Sequence, residues 1–354
     1  MKLSDDEILQ ADLDKTAASD IIPWDRLKNK SILITGATGL IGGQLVMTLL
    51  NANHERDLNM TVYAAVRNKD KAEKLFKYAE KSALRYVIQD IQKPFDLSGT
   101  VDYIIHGASM TSSKDFVDYP VETIKTAIEG TENVLELAKA KNIKGMVYLS
   151  SLEIYGVMDF SIDKVTENMS GTIDPMSIRS SYSEGKRMVE CLCASYASEY
   201  GLPIKVARLC QTFGPGVNYS DNRVFAQFAR AVIEGKDIVL KTDGSTERNY
   251  CYVSDAVSGI LTILLKGETG QAYNVANKNT LITIRSMAEM LIDKYPESGS
   301  KLVFDIAEDV TKLGYNPKVK INLAADKLEA IGWSAQTDLP EMFEHLIKSM
   351  RLSK

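Results

Sequence analysis

The sequence is poor in the residues that build metal centres and disulfide frameworks. Its 354 residues include three histidines and four cysteines. The histidines are scattered along the chain, and no two cysteines form a C-x-x-C pair. A zinc site needs a cluster of such ligands, and a disulfide scaffold needs a higher density of cysteine. We therefore expect no metal, and we expect all the cysteines to be reduced and buried: Cys191, Cys193, Cys210 and Cys251.

Long apolar runs and long basic runs are also missing. No stretch of ~18 apolar residues could cross a membrane, and no positively charged, apolar leader is visible. The 42 basic and 47 acidic residues give a net charge of −5 without a basic patch interleaved with aromatics. These features predict a cytoplasmic protein with neither a membrane nor a nucleic acid as partner. At 45% hydrophobic content the chain is long enough for one large domain or two coupled ones.

A glycine-rich turn follows the first predicted strand. The β-branched run at residues 31–35 is typical of a buried strand, and apolar residues at helical spacing fill residues 40–50. Between them, glycines let the backbone approach a pyrophosphate, and the helix start offers free N–H groups to it. Strand, turn and helix together predict a dinucleotide site. Its expected contacts are Gly36, Thr38, Gly39, Leu40, Ile41 and Gly42.

Strand-like and helix-like stretches alternate beyond this turn. Strands are predicted at residues 61–67, 84–89, 103–107, 145–150 and 204–209, and helices at residues 69–81, 121–141 and 179–200. This alternation predicts an α/β fold with right-handed βαβ units, a doubly wound parallel sheet and a ligand at the carboxyl ends of its strands. After about residue 210 the elements shorten, which predicts a smaller second lobe over the cleft.

The residue after the second predicted strand bears on the choice of cofactor. An acidic residue there would bind the ribose 2′-hydroxyl of NAD and repel a 2′-phosphate. This chain has Arg67, which favours NADP over NAD, although Asp70 lies close by. Arg67 could instead stack on adenine or face solvent.

Two further turns complete the predicted cofactor site. Asp90 and Ile91 follow the third strand and are placed to bracket the adenine, although Asp90 could equally cap a turn. Gly107, Ala108 and Ser109 follow the fourth strand, where the backbone could approach the nicotinamide.

Tyr182 and Lys186 carry the chemistry. Residues four apart share one face of a helix, so the ammonium can lie near the phenol. A tyrosine titrates near ~10, and a lysine together with a cationic nicotinamide would lower that pKa toward neutrality. Tyr182 can then take a hydroxyl proton as hydride leaves the same carbon. Ser151, at the end of the preceding strand, is the candidate donor that holds the substrate oxygen.

Taken together, these motifs resemble the extended short-chain dehydrogenase/reductase family, in its NAD-dependent epimerase/dehydratase branch. The resemblance covers about residues 29–350 and includes residues 150–156, 208–216 and 248–255 besides the glycine turn and the tyrosine–lysine pair. It implies a Rossmann domain, a nucleotide-sugar substrate and a homodimer joined through two long helices of each subunit.

The resemblance also implies a division of the chain. Residues 1–28 form an N-terminal extension, expected to pack as a short helix and an arm on the domain surface or on a second subunit. The Rossmann NAD(P)-binding domain spans residues 29–210, and residues 249–265 return to it. Residues 211–248 and 266–354 form the substrate-binding lobe.

The family's functional residues map onto this chain one by one. Ser151, Tyr182 and Lys186 match the catalytic triad, with the last two also placed against the cofactor. Arg248 matches the arginine that grips the substrate diphosphate, as suits a guanidinium that can bind two phosphate oxygens. Gln211 stands at a substrate-contacting position where the family usually has asparagine.

Glu153 and its neighbour bear on the reaction. Glu153 matches a glutamate of the nucleotide-sugar dehydratases and the UDP-glucuronate decarboxylases. Dehydratases usually place an aspartate before it to protonate the leaving hydroxyl, and decarboxylases often place a serine, but this chain has Leu152. Ala127 replaces a further family asparagine in the active-site helix. Simple dehydration is thereby disfavoured, and the decarboxylase interpretation is weakened too, although the rest of the segment still resembles the decarboxylases. The substrate pocket departs from the family pattern.

Three hypotheses remain open at this point. In the first, an NAD(P)-dependent nucleotide-sugar enzyme acts through a keto-sugar, with dehydration, decarboxylation or epimerisation as the outcome. In the second, NADPH reduces a nucleotide keto-sugar. In the third, the chain is a catalytically silent NAD(P)-binding regulatory protein, which the retained triad argues against.

Overall fold

The computed structural model describes residues 1–306 and 318–354. Its helices are α1 (Glu7–Ala18), α2 (Leu40–Glu55), α3 (Lys69–Leu75), α4 (Ser113–Asp118), α5 (Pro120–Lys141), α6 (Ser180–Tyr200), α7 (Val224–Glu234), α8 (Val253–Lys266), α9 (Ile284–Lys294), α10 (Asp326–Glu329) and α11 (Leu339–Leu352). Its strands are β1 (Ser31–Thr35), β2 (Thr61–Val66), β3 (Leu84–Ile88), β4 (Tyr103–His106), β5 (Gly145–Ser151), β6 (Ile204–Leu209), β7 (Gln211–Phe213), β8 (Ile238–Leu240), β9 (Glu247–Arg248), β10 (Tyr250–Tyr252), β11 (Ala272–Val275), β12 (Ile282–Thr283), β13 (Leu302–Phe304) and β14 (Lys320–Ile321).

A seven-stranded sheet forms the centre of the fold. Its strand order is β11-β6-β5-β4-β1-β2-β3, and every neighbouring pair is parallel. The chain winds outward in both directions from the boundary between β1 and β4, which is the switch point where such sheets bind ligands. The doubly wound α/β fold is thus confirmed, and β1, β4 and β5 lie side by side at its centre.

The predicted elements are present, with one helix shorter than expected. Residues 69–81 were expected to be helical, but α3 ends at Leu75. Phe76 leaves helical geometry and packs its buried ring beside Tyr86, with ring centroids 6.4 Å apart. Burial of that ring against the sheet outweighs the local preference of the charged segment for helix.

The N-terminal extension contains the predicted helix. Asp6 caps α1 by accepting hydrogen bonds from the backbone N–H groups of Ile8 and Leu9. Leu9 and Leu13 are buried on the inner face of α1, which packs against α2 and α8. The extension is therefore part of the hydrophobic core beneath the sheet.

A second hydrophobic core lies in the carboxyl-terminal half of the chain. It is built around Phe213, Phe225 and Phe343, whose rings are completely buried and stack or tilt against one another. β11 belongs to the central sheet, although the sequence placed residues 266–354 in the second lobe. The exact division into two lobes stays a prediction.

The expectations drawn from composition concern the state of the cysteines, membrane-spanning helices and groups of metal ligands. All four cysteines are free; three are buried, but Cys191 is exposed because it lies off the inward face of α6 that carries Val189 and Cys193. Within residues 1–306 and 318–354, no helix is long and apolar enough to cross a membrane. The same residues contain no group of three or more His, Cys, Asp or Glu placed to hold a metal.

A buried polar chain connects α1 to the carboxyl-terminal helix. The Tyr252 hydroxyl donates to Asp12 Oδ2 at 2.6 Å and lies 2.7 Å from His345 Nδ1 on α11. Asp12 is only 8% exposed. Burial raises the pKa of Asp12 to about 7, against the opposing effects of the Tyr252 hydrogen bond and of Lys15. Between about pH 4 and pH 7, Asp12 therefore keeps its proton in the folded protein, whereas the same carboxyl group in the unfolded chain loses it.

This proton gives a prediction for stability. Unfolded aspartate ionises near ~3.9, so the contribution of Asp12 to the free energy of unfolding should fall as pH rises from about 4 to about 7 and then level off. Asp12→Asn keeps the acceptor oxygen but cannot ionise, so the variant should become more stable relative to the wild type across this window. Urea unfolding of both proteins as a function of pH measures the difference.

Asp20→Asn is the matched control, since the Asp20 side chain is 97% exposed. It should follow the wild-type curve. A constant difference in unfolding free energy between wild type and Asp12→Asn at every pH would contradict the prediction.

Candidate active site

The glycine turn has no room for a side chain at Gly36 or Gly42. Gly36 has φ of +71°, and a Cβ on it would lie 2.8 Å from the backbone of Gly107. A Cβ on Gly42 would lie 2.2 Å from the Gly36 carbonyl oxygen, and the Gly39 N–H donates to that oxygen at 3.0 Å. Gly39 is exposed, and its neighbours Thr38, Leu40 and Ile41 are partly exposed. The backbone of the turn is thus closely packed at Gly36 and Gly42, whereas the surface around Gly39 is open to solvent. A turn that binds a pyrophosphate requires both properties.

The carboxyl ends of β1 and β4 are joined by a buried network. Thr35 Oγ1 lies 2.7 Å from His106 Nδ1 and accepts hydrogen bonds from the N–H groups of Gly107 and Ala108 at 3.2 Å. His106 Nε2 lies 2.9 Å from Thr131 Oγ1 on α5. Burial lowers the pKa of His106 to about 3, so this histidine is neutral and structural. The network fixes the segment predicted to face the nicotinamide, which continues to Ser109.

Ser151, Tyr182 and Lys186 come together where β5 meets α6. Ser151 and Tyr182 lie close enough together for the serine side chain to affect the phenol. Lys186 is buried, donates from Nζ to the Leu149 carbonyl oxygen at 2.8 Å, and lies 5.7 Å from the centroid of the Tyr182 ring. The predicted juxtaposition of the three side chains is therefore present in the fold, and their catalytic roles stay a prediction.

Burial dominates the electrostatics of this cluster. It raises the pKa of Tyr182 well above the ordinary value; the Glu153 charge acts in the same direction and the nearby Ser151 side chain opposes it. Burial lowers the pKa of Lys186 to about 8, against the opposing charge of Glu190. The protein alone thus keeps the phenol protonated, in contrast to the expected lowering by lysine.

Glu153 is fixed by two partners. Arg179 Nη2 donates to Glu153 Oε1 at 3.0 Å, and Ser183 Oγ donates to Glu153 Oε2 at 3.2 Å. The two charged side chains are only 13% and 11% exposed. Leu152, next to Glu153, is buried. Arg179 was not among the predicted site residues; its position three residues before Tyr182, at the start of the helix, was the available signal.

Arg248 and Gln211 lie in the second half of the chain, on β9 and β7. The Arg248 Nε is buried with no hydrogen-bond partner, and within the described part of the chain Arg248 forms no ion pair. An unpaired buried donor costs ~1–3 kcal/mol, and an anionic ligand would remove that cost. Gln211 is partly exposed at the first residue of β7, which pairs with β10. This arrangement suits the predicted diphosphate contact.

The predicted adenosine contacts lie at the ends of β2 and β3. Arg67 is exposed directly after β2, and Asn68 caps α3 by accepting from the Lys71 N–H at 2.9 Å. Asp90 Oδ1 accepts from the backbone N–H of Gln92 at 3.0 Å and closes a turn. Ile91 is buried against α5, where a Cβ on Gly130 would lie 3.0 Å from it. Asp90 and Ile91 thus have structural roles of their own, and their contact with adenine stays a prediction.

A second polar network, which sequence analysis missed, lies below the site. Glu190 on α6 accepts from Ser150 Oγ at 2.5 Å and from Arg208 Nη2 at 2.7 Å. Arg208 also donates to the Tyr155 hydroxyl at 2.9 Å, and Tyr155 donates to Asn274 Oδ1 at 2.7 Å. These buried groups tie β5, β6, β11 and α6 together. They give Tyr155 and Arg208 structural roles.

The fold and the site define a class of protein. A doubly wound parallel sheet with a closed glycine turn after β1 and a Ser–Tyr–Lys cluster after β5 is the arrangement of a dinucleotide-dependent redox enzyme. A family model described as "NAD dependent epimerase/dehydratase family" matches residues 32–276. The chain belongs to this family and is an enzyme of that type.

Known proteins resemble the chain over most of its length. UDP-glucuronic acid decarboxylase 6 of Arabidopsis thaliana is 31% identical over 304 residues, which cover 83% of this chain and 86% of that protein. Epimerase Mth375 of Methanothermobacter thermautotrophicus has a TM-score of 0.79 at 22% identity, covering 94% of this chain and 95% of its own. UDP-glucuronic acid 4-epimerase of Bacillus cereus, solved with NAD, has a TM-score of 0.73 at 22% identity, covering 92% and 100%.

The glycine turn gives a prediction for cofactor binding. Gly42→Ala should weaken NAD(P)H binding by about tenfold or more, because the added Cβ must push the Gly36 carbonyl out of the turn. Fluorescence titration with NADH and NADPH measures the dissociation constant, and circular dichroism checks that the variant is folded.

Gly43→Ala is the matched control in the same helix. Its Cβ would meet the flexible end of the Leu75 side chain at 3.2 Å and no closer atom. It should bind the dinucleotide as the wild type does. Equal affinity in a folded Gly42→Ala variant would contradict the assignment of the cradle.

Proposed function

We propose that this protein is an NAD(P)-dependent nucleotide-sugar enzyme that decarboxylates a nucleoside-diphosphate uronic acid through a keto-sugar. The observation that carries the proposal is the cluster in which Ser151 and the buried Lys186 adjoin Tyr182, next to the largely buried Glu153–Arg179 ion pair. The similarity to UDP-glucuronic acid decarboxylases supports this outcome.

Each side chain of the cluster has a distinct task. Ser151 holds the sugar oxygen, and Tyr182 takes the hydroxyl proton from it. Lys186 holds its ammonium beside the tyrosine through its hydrogen bond to the Leu149 carbonyl. A dinucleotide held by the glycine turn and residues 107–109 would accept the hydride, return it, and lower the pKa of the phenol through its positive ring while oxidised.

Decarboxylation fits the residues around Tyr182 better than dehydration does. Oxidation of the carbon next to the one that bears the carboxylate gives a β-keto acid, which breaks its carbon–carbon bond to release carbon dioxide. The resulting enolate takes up one proton, and the returning hydride restores the alcohol, so no net redox change occurs. Dehydration needs an acid for the leaving hydroxyl, and the buried Leu152 beside Glu153 cannot donate a proton.

The rest of the substrate is assigned to the second half of the chain. Arg248, whose buried Nε has no hydrogen-bond partner among the described residues, binds the diphosphate, and Gln211 contacts the substrate nearby. We further propose a homodimer through α5 and α6, whose outer faces expose Val121, Ile124 and Met188.

Activity with UDP-glucuronic acid tests the proposal. The wild type should convert it to a product lighter by the mass of carbon dioxide. Tyr182→Phe should lower kcat by about a hundredfold or more and still bind cofactor, because only the phenolic hydroxyl is removed. Tyr200→Phe, an exposed tyrosine on the same helix, is the control and should keep wild-type turnover. Retained turnover in Tyr182→Phe would contradict the role of the phenol.

Other mass changes in a screen of UDP-, dTDP-, CDP- and GDP-sugars would overturn the decarboxylase outcome. Loss of water would identify a dehydratase, an isomer of equal mass an epimerase, and a gain of two hydrogens from NADPH a keto-sugar reductase. Cofactor binding without any turnover would identify a catalytically silent protein.

Arg67 gives a separate prediction for the cofactor. We propose a preference for NADP, because Arg67 is exposed directly after β2, where the 2′-phosphate would lie. Arg67→Ala should weaken NADPH binding by about tenfold, as expected for loss of a charge-assisted hydrogen bond of ~1.5–3 kcal/mol, and leave NADH binding unchanged. Lys69→Ala, which removes a lysine paired with Glu73, is the control. An unchanged ratio of the two affinities in Arg67→Ala would contradict the preference.

A further inference from the structure

Phe116 lies against the tyrosine of the site. It is on α4, a short helix after β4, and is only 2% exposed. Its ring stacks on the ring of Tyr182, with centroids 4.2 Å apart and planes inclined by 13°. Among the residues that the structure describes, it is the one aromatic ring stacked on Tyr182. The flat face of the tyrosine is therefore held by one specific side chain.

A hydrogen bond fixes the backbone at the same place. Ser181 Oγ donates to the Phe116 carbonyl oxygen at 3.0 Å, and Ser181 is buried immediately before Tyr182. The side chain and the backbone of Phe116 are thus attached to two consecutive residues of α6. This double attachment restricts both sliding and rotation of the stacked pair.

Phe116 also contacts the ion pair next to the tyrosine. The guanidinium carbon of Arg179 lies 4.8 Å from the centroid of the Phe116 ring, within the range of a cation–π contact. The same Arg179 holds Glu153 at 3.0 Å, and the Glu153 charge acts on Tyr182. One ring therefore touches the tyrosine and the partner of the glutamate.

We infer that Phe116 is a positioning residue, which fixes the Tyr182 phenol directly and the Glu153 carboxylate through Arg179. The inference rests on the proposed function, since it assigns the purpose of this geometry to proton transfer at the sugar. Phe116 acts through the groups that it packs against. A displacement of about 1 Å at a reacting group can cost about a hundredfold in rate, so a rigid aromatic contact at this point has a large effect on kcat.

Phe116→Leu tests the inference with little loss of apolar volume. It should lower kcat by about ten- to a hundredfold while KM for the nucleotide sugar stays within about twofold. Water admitted to the phenol should lower the pKa of Tyr182, so the acid limb of the kcat profile should move to lower pH. Phe116→Tyr keeps the ring and should restore both kcat and the profile.

Phe76→Leu is the matched control, a buried phenylalanine stacked on Tyr86 away from the site. It should lose stability but keep wild-type kcat and pH dependence. Wild-type kcat in Phe116→Leu, or a decrease no larger than in Phe76→Leu, would overturn the inference.

A readout independent of turnover separates this inference from the proposed function. Tyrosine ring NMR, with Tyr182 assigned by its loss in Tyr182→Phe, should show faster ring flips in Phe116→Leu and wild-type flips in Phe116→Tyr. Unchanged ring flips in Phe116→Leu would overturn the inference whether or not the wild type is active. Faster flips, with no turnover of any nucleotide sugar by the wild type, would overturn the proposed function alone.

Discussion

The buried hydrogen bond from Lys186 to the Leu149 carbonyl is the contact on which the site depends. It attaches α6 to β5 and so places Tyr182 beside Ser151, at the end of the strand. Placing an ammonium in this position is costly, which is why the pKa of Lys186 falls to about 8. One turn further along α6, Glu190 binds Ser150 and locks the same helix to the same strand.

Two further charge arrangements bear on the proposed site. Next to Tyr182, Glu153 and Arg179 form a largely buried ion pair, which fixes the position of the glutamate. On β9, the buried Nε of Arg248 has no hydrogen-bond partner within residues 1–306 and 318–354. The Glu153–Arg179 pair is suited to proton transfer at a sugar, and Arg248 is suited to binding an anionic group of the substrate. In the proposed function, Tyr182 serves the oxidation of the sugar, whereas Leu152 and Glu153 are proposed to bear on the fate of the oxidised sugar.

The sequence predicted those parts of the site that depend on local spacing. The glycine turn and the Tyr182–Lys186 pair are short motifs, and parallel strands bring their carboxyl ends together, so Ser151 could be placed beside them. Arg179 and Phe116 were missed because their contacts join distant segments with no fixed spacing. The position of β11 in the sheet escaped prediction for the same reason, and the exposed Cys191 showed that composition alone does not assign a helix face.

In the proposed reaction, hydride leaves one sugar carbon and returns to the same carbon. UDP-glucuronic acid with deuterium at carbon 4 tests it most directly, by mass spectrometry of the product and of the bound cofactor. We expect the pentose product to keep the deuterium at carbon 4 and its formation to be slowed by the label. Deuterium lost to water, or found in NAD(P)H released into solution, would contradict it.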